Sequence, residues 1–139
     1  QTGTTIHFKP DPEIFGELPF EYATLATRFR QIAYLNRGLA ITVSDERDGR
    51  ADQFYSEAGI AEYVQFLSTG ETVEHAPIYA RKEIPRDDGL GVLVEVALQY
   101  NAGEARVEMG FCNNAYNSDG GTHLSGFRAG LTRAVTAYG

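Results

Sequence analysis

The chain of 139 residues has little cysteine, little positive charge and no long apolar run. A single cysteine, Cys112, excludes an internal disulfide and suits a reducing compartment. It ends the strand-like run 107–112, where a packed thiol is expected rather than a nucleophile. No apolar run approaches the roughly 20 residues that a membrane-crossing helix requires. Lys and Arg number 12 against 19 Asp and Glu, a net charge of -7. That balance argues against the chain gripping DNA unaided, because phosphate binding needs a cationic face. Three histidines, His7, His75 and His123, are scattered and have no Cys or carboxylate partner at metal-ligand spacing, so no metal site is expected.

What is present is a globular composition, 42% hydrophobic, in the length range of one ordinary domain. Charge is unevenly spread: residues 44–108 carry six Lys/Arg against fourteen Asp/Glu, a net of -8, whereas residues 109–139 carry two against one, a net of +1. The final helix is the locally cationic piece, through Arg128 and Arg133. On charge alone a solvated helix face explains those arginines better than DNA contact does. The chain starts at Gln1 without an initiator Met and stops just after a helix, and a fragment of a longer protein is the expectation.

Periodicity sets the elements. Residues 4–8 alternate as a strand, which Pro10 and Pro12 break into a turn. Residues 20–36 read as a long helix with Tyr22, Leu25, Phe29 and Ile32 inward and Gly38 as its stop. Strands 39–45 and 51–55 flank Asp48-Gly49, a hairpin signal. Residues 58–67 form a short helix with Ile60, Tyr63, Val64 and Leu67 inward, and 68–77 is polar and turn-rich. Three antiparallel strands, 78–84, 91–100 and 104–112, are linked by Asp87-Asp88-Gly89 and Asn101-Ala102-Gly103. The last helix, with Leu124, Phe127, Leu131, Val135 and Tyr138 on one stripe, covers that meander. Gly120 and Gly121 lead into it and Thr122 is placed to cap it. The acidic pairs Asp45-Glu46 and Asp87-Asp88 sit at turns, where exposed carboxylates are ordinary, and are not an acid/base dyad. Tyr34 and Tyr138 lie on helical stripes and read as core. Gly120-Gly121 before a helix is weak as an anion site, with Asp119 beside it to repel phosphate.

Several runs go beyond these patterns. Asn113-Asn114, Asp119-Gly120-Gly121-Thr122-His123, Gly126-Phe127-Arg128-Ala129 and Leu131-Thr132-Arg133 closely resemble the B subunit of DNA gyrase and its topoisomerase IV counterpart. The opening run Thr2-Gly3-Thr4-Thr5-Ile6-His7-Phe8-Lys9-Pro10-Asp11 resembles that family's Thr-Gly-Thr strand, which closes the nucleotide pocket. Between them, in the same order, come Ile32-Ala33-Tyr34-Leu35-Asn36-Arg37-Gly38, Asp45-Glu46-Arg47, Glu57-Ala58-Gly59-Ile60 and Val94-Glu95-Val96-Ala97-Leu98-Gln99-Tyr100-Asn101. Departures are Ala58 for a usual glycine, Tyr100 for a usual tryptophan, and Asn114-Ala115-Tyr116 where Asn-Ile is expected.

The resemblance implies an α+β chain: the C-terminal part of a GHKL ATPase α/β sandwich over residues 1–58, then the first part of a ribosomal-protein-S5-like transducer domain over 59–139. It implies a type IIA topoisomerase that uses ATP, with Mg²⁺, to pass duplex DNA and introduce negative supercoils. Its partners would be the gyrase A subunit, a second copy of the ATPase-bearing subunit and double-stranded DNA in a bacterial cytoplasm, with no membrane. Thr4, helped by Gly3, would contact the adenine, since a hydroxyl both donates and accepts. Arg128 and Arg133 are candidates for a DNA-lined cavity. The general base, the Mg²⁺ ligand and the γ-phosphate lysine resemble features that lie outside the chain, so no catalytic residue is named. Alternatives are the topoisomerase IV counterpart, or a non-catalytic α+β interaction module that shares only the transducer fold. With open strand edges and an uncovered helix face, the isolated chain is expected to be poorly soluble.

Overall fold

The computed structural model describes residues 2–16, 20–87, 89–103 and 106–139. A short helix α1 (Pro12–Phe15) begins after Asp11, whose side chain accepts from the Glu13 amide at 2.9 Å. Helix α2 (Tyr22–Leu35) follows, then strands β1 (Ile41–Asp45) and β2 (Arg50–Phe54), helix α3 (Ile60–Leu67) and strands β3 (Ile78–Ile84) and β4 (Val92–Leu98). Two-residue strands β5 (Phe111–Cys112) and β6 (Ala115–Tyr116) and a long helix α4 (Thr122–Tyr138) complete an α+β chain. Among the described residues the strands form three separate antiparallel hairpins, β1–β2, β3–β4 and β5–β6.

The first hairpin carries α2. Its register pairs Ile41 with Phe54 and Asp45 with Arg50 around a turn in which Gly49 takes φ +75°, a conformation glycine adopts without strain. Tyr22, in the first turn of α2, donates to Asp52 at 2.7 Å, and Arg47 donates to the Phe20 carbonyl at 2.7 Å. These bonds fix where the helix starts. Its buried line is Tyr22, Ala26 and Ala33, which meet Phe54 with Phe29, Ile41 and Val43 packed alongside. The stripe expected from large residues is thus turned toward alanines: a side chain without bulk lets the helix approach the strands, and Leu25 and Ile32 fall at its half-buried margin.

In the second half, β3 and β4 pair over seven residues, from Ile78 with Leu98 to Ile84 with Val92, and α3 lies against β4. The polar stretch before β3 doubles back, with Glu74 donating to the Tyr100 carbonyl and Ala102 to that of Thr72.

Five local expectations change. Residues 4–8 form no strand among the described residues: alternation specifies a face but supplies no partner, and Ile6 is 79% exposed. The third strand of the meander is replaced by the β5–β6 hairpin, because Asn113 (φ 47°) and Asn114 (φ 66°) both adopt the left-handed conformation that a two-residue turn requires. Glu104 and Ala105, in that expected strand, and Asp88, in the expected turn, lie outside the described residues. Cys112 is exposed rather than packed, since a two-residue strand buries neither of its faces. Helix α4 does not cover β3–β4. Leu124, Phe127 and Leu131 are half-buried, but Val135 is exposed and Tyr138 is 97% exposed, so the stripe's C-terminal half meets no partner among the described residues. Thr122 is the first helical residue and makes no cap bond; Gly121 holds the capping position.

Candidate functional site

The segment carrying Gly3 and Thr4 is exposed, and it touches the first hairpin at His7. Phe8 meets Phe20 edge to face at 5.7 Å, and His7 lies 3.4 Å from Glu46 at the β1–β2 turn. Both contacts are at the surface and contribute little. Thr4 makes no hydrogen bond among the described residues, and a Cβ added at Gly3 would meet nothing within 4 Å. The hydroxyl and the space beside it are therefore open to a ligand. Neither residue lines the concavity of about 180 Å³ formed by Arg30, Ala33, Tyr34, Gln53, Phe54 and Tyr55. There the Arg30 guanidinium sits 5.2 Å from the ring centres of both Phe54 and Phe66. Burial pushes the Tyr34 hydroxyl above the ordinary tyrosine value.

The most ordered polar cluster lies where β2 passes into α3. Ser56 is 1% exposed; its hydroxyl accepts from the Gly59 amide at 2.8 Å and donates to Glu62 at 2.8 Å. The other Glu62 oxygen accepts from the Ala58 amide at 2.7 Å. Glu62 stands in the first turn of α3 and reaches back to amides the helix leaves unpaired, the logic of a capping box. The Ala58 amide and then the Ser56 hydroxyl hold its carboxyl below the ordinary glutamate value. Gly59 takes φ +68°, and a Cβ there would fall 2.5 Å from the Arg37 Cγ. Arg37 in turn donates to the Glu57 carbonyl at 3.1 Å, and the Ser56 carbonyl accepts from Gly38 at 2.9 Å. The end of α2 is thus tied to the linker that starts α3.

One face of α2 continues the connection. Tyr34 stacks on Tyr63 of α3 at 5.0 Å and 17°. Gln31 accepts from Arg28 and donates to the Tyr63 hydroxyl at 3.1 Å, which itself donates to the Met109 sulfur at 3.6 Å. Arg28 also donates to the Asn114 carbonyl at 2.9 Å.

At the far end, Arg128 grips Glu108 with two nitrogens, at 2.9 and 2.7 Å, and this bond lowers the Glu108 carboxyl below its ordinary value. Arg133 is exposed and has no ion pair among the described residues. The His123 ring makes no hydrogen bond among the described residues and acts by filling space. Cβ atoms at Gly110 and Gly121 would fall 2.6 and 2.8 Å from its ring, so the imidazole fills the space that these glycines leave. Asp45 is held to about 2 by Arg47, chiefly through side-chain hydrogen bonds, as a turn carboxylate in an ion pair should be. No group of three His, Cys, Asp or Glu able to hold a metal occurs among the described residues, and no helix there is long and apolar enough to cross a membrane.

Sequence reasoning did not single out Ser56, Glu62, Arg28, Asn36 or Arg37. A glycine followed three residues later by Glu62 was a legible helix-start signal, and Asn113-Asn114 a legible turn signal.

Residues 59–139 match the family described as DNA gyrase B. The chain is 45% identical over 141 residues to the gyrase B protein of Streptococcus pyogenes serotype M3, covering 99% of this chain and 21% of that protein. Its identity to the gyrase B protein of Archaeoglobus fulgidus is 47% over 137 residues, with the same coverage. Among solved structures, the 43K ATPase domain of Thermus thermophilus gyrase B, in complex with an aminocoumarin, superimposes with a TM-score of 0.79 at 33% identity, over 94% of this chain and 35% of that one. The chain spans about a fifth of the length of the curated relatives it matches. It belongs to the DNA gyrase B family.

Proposed function

We propose that this chain is the stretch of a type IIA topoisomerase, in its gyrase B component, where the ATP-binding domain, residues 1–58, hands over to the transducer, residues 59–139. The observation that carries the reading is similarity to gyrase B proteins across 99% of the chain, the Thr2–Asp11 run included. A free-standing module sharing only the transducer fold would have no use for that run. The relatives are gyrase proteins, which favours gyrase over topoisomerase IV. The start of the family match at residue 59 and the bonded junction at Ser56–Glu62 support the division.

In the full-length protein ATP, with Mg²⁺, would supply the free energy that drives one duplex through another and introduces negative supercoils. This chain's part is to hold and relay. Thr4 would read the adenine edge, directly or through a water, with Gly3 leaving room for the base to approach. The donor groups for Mg²⁺ and the catalytic residues are assigned to other parts of the protein. Closure would pass from the Thr4 edge through α2 to the capped start of α3, a two-state motion biased by nucleotide contacts. Partners are a second copy of gyrase B, the gyrase A subunit and double-stranded DNA. Arg133 offers a free cation to a passing phosphate backbone; Arg128, neutralised by Glu108, offers less.

The test is nucleotide binding by the full-length protein carrying Thr4→Val. The reading expects affinity to fall by roughly tenfold or more, the scale of one lost polar contact. Unchanged affinity removes Thr4 from the nucleotide site.

A further inference from the structure

The two bonds that reach furthest along the chain both end on Asn114. Its backbone carbonyl accepts from Arg28 at 2.9 Å, and its side-chain amide donates to the Asn36 Oδ1 at 2.9 Å. These partners lie 86 and 78 residues away, at the middle and the C-terminal cap of α2. The direction of the second bond is set locally. Asn36 commits its own amide nitrogen to the Ile32 carbonyl at 2.7 Å, which leaves only its oxygen facing Asn114. Position 114 must therefore donate, and its φ of 66° also asks for a residue at ease in the left-handed region. Asparagine meets both demands. Aspartate would meet only the second.

We propose that Asn114 is a positioning residue: it latches the tip of the β5–β6 hairpin to α2, so that the transducer part follows the helix when the nucleotide part moves. This rests on the reading that residues 1–58 bind nucleotide and residues 59–139 relay it. The latch is exposed and light, so it adds little to stability; what it fixes is the placement of the hairpin tip on α2, beside the contacts that Tyr34, Gln31 and Arg30 make with α3. Arg28 makes it part of a wider contact, since the same side chain also donates to Gln31, which bonds Tyr63.

The experiment compares full-length protein, assembled with the gyrase A subunit, carrying Asn114→Gly, Asn36→Ala or both. Glycine keeps the turn and the carbonyl acceptor while deleting the amide donor. Three quantities are read: affinity for a non-hydrolysable ATP analogue, duplexes passed per ATP hydrolysed, and hydrogen exchange of the 111–116 amides. The latch predicts unchanged nucleotide affinity, a drop of roughly fivefold in passage per ATP for each single variant, and faster exchange at the tip. The double variant should be no worse than Asn36→Ala alone, because the bond between the two asparagines is already absent there; the loss of the Asn36 bond to the Ile32 carbonyl is common to both. Additive losses, a parallel loss of nucleotide affinity, or unaltered passage and exchange would each overturn it. If the parent protein shows no ATP-driven passage, the enzymatic reading fails, and the exchange cycle still decides whether the bond latches the tip.

Discussion

The two halves of the molecule handle apolar surface in opposite ways. Residues before Ser56 gather Tyr22, Ala26, Ala33 and Phe54 into one cluster between a helix and a hairpin. After it, Tyr63 is the one large apolar residue buried among the described residues, and it faces α2 rather than its own hairpin. Strand β4 pairs along its whole length with β3 yet leaves Val92, Leu93 and Val94 exposed. Packing against α3 thus reaches only the C-terminal end of β4, and backbone pairing carries the rest of the second hairpin, whereas packing shapes the first throughout.

Substitutions at matched depths sharpen that contrast. Phe54→Ala should cost about 3–5 kcal/mol, because it empties the contact between α2 and β2. Leu93→Ala, on a strand of equal regularity, should cost less than about 1 kcal/mol, since Leu93 is already 48% exposed. Denaturant midpoints of the two variants measure both. Equal losses would mean that the second half has a core of its own.

The junction comes next in size. Gly59→Ala forces a side chain into φ +68° and drives its Cβ against Arg37, a residue held by the Glu57 carbonyl. A cost of about 1–3 kcal/mol follows. Repeating it in an Arg37→Ala background should relieve the clash and leave the backbone strain, so the two changes together cost less than their sum.

Glu62→Gln should cost about 1–2 kcal/mol near neutral pH by weakening the bonds to Ala58 and Ser56. The folded carboxyl titrates below its unfolded value, about 4.3 for an ordinary glutamate. Its stabilisation is therefore present above that value and lost as pH falls through the folded one. Unfolding profiles of parent and variant should converge once the pH has fallen below the folded titration of Glu62. A gap that stays constant with pH would remove the carboxylate from the account.

Where the sequence was legible, the signal was local. The positions of α2, β1–β2 and β3–β4 follow from periodicity and from glycine turns such as Gly49, because such patterns need no knowledge of a partner. What escaped depended on pairing at a distance. The alternation at residues 4–8 has no strand to join among the described residues, and of the expected strand's described residues, 106–112, only Phe111 and Cys112 pair, in a short hairpin turned by two left-handed asparagines. The site divides the same way. Thr4 and Gly3 were marked by resemblance, while Ser56 and Glu62 matter through the way the linker folds back onto the start of α3, and Asn114 through a contact 78 residues away on α2.

The smallest effect expected is at the end of α4, and it separates periodicity from burial. Leu124, Phe127 and Leu131 are half-buried, whereas Val135 and Tyr138 continue the same stripe into solvent. A helical pattern of this kind usually exists to be covered. In the 139-residue chain Tyr138→Ala should nonetheless change stability by no more than about 0.5 kcal/mol, because a ring 97% exposed has little contact to lose. In the full-length protein the same change should cost about 1–3 kcal/mol if residues beyond this chain complete the stripe's cover. Equal, negligible costs in both contexts would make the C-terminal half of the stripe a solvated face. A difference would show that residues outside this chain cover the C-terminal half of α4.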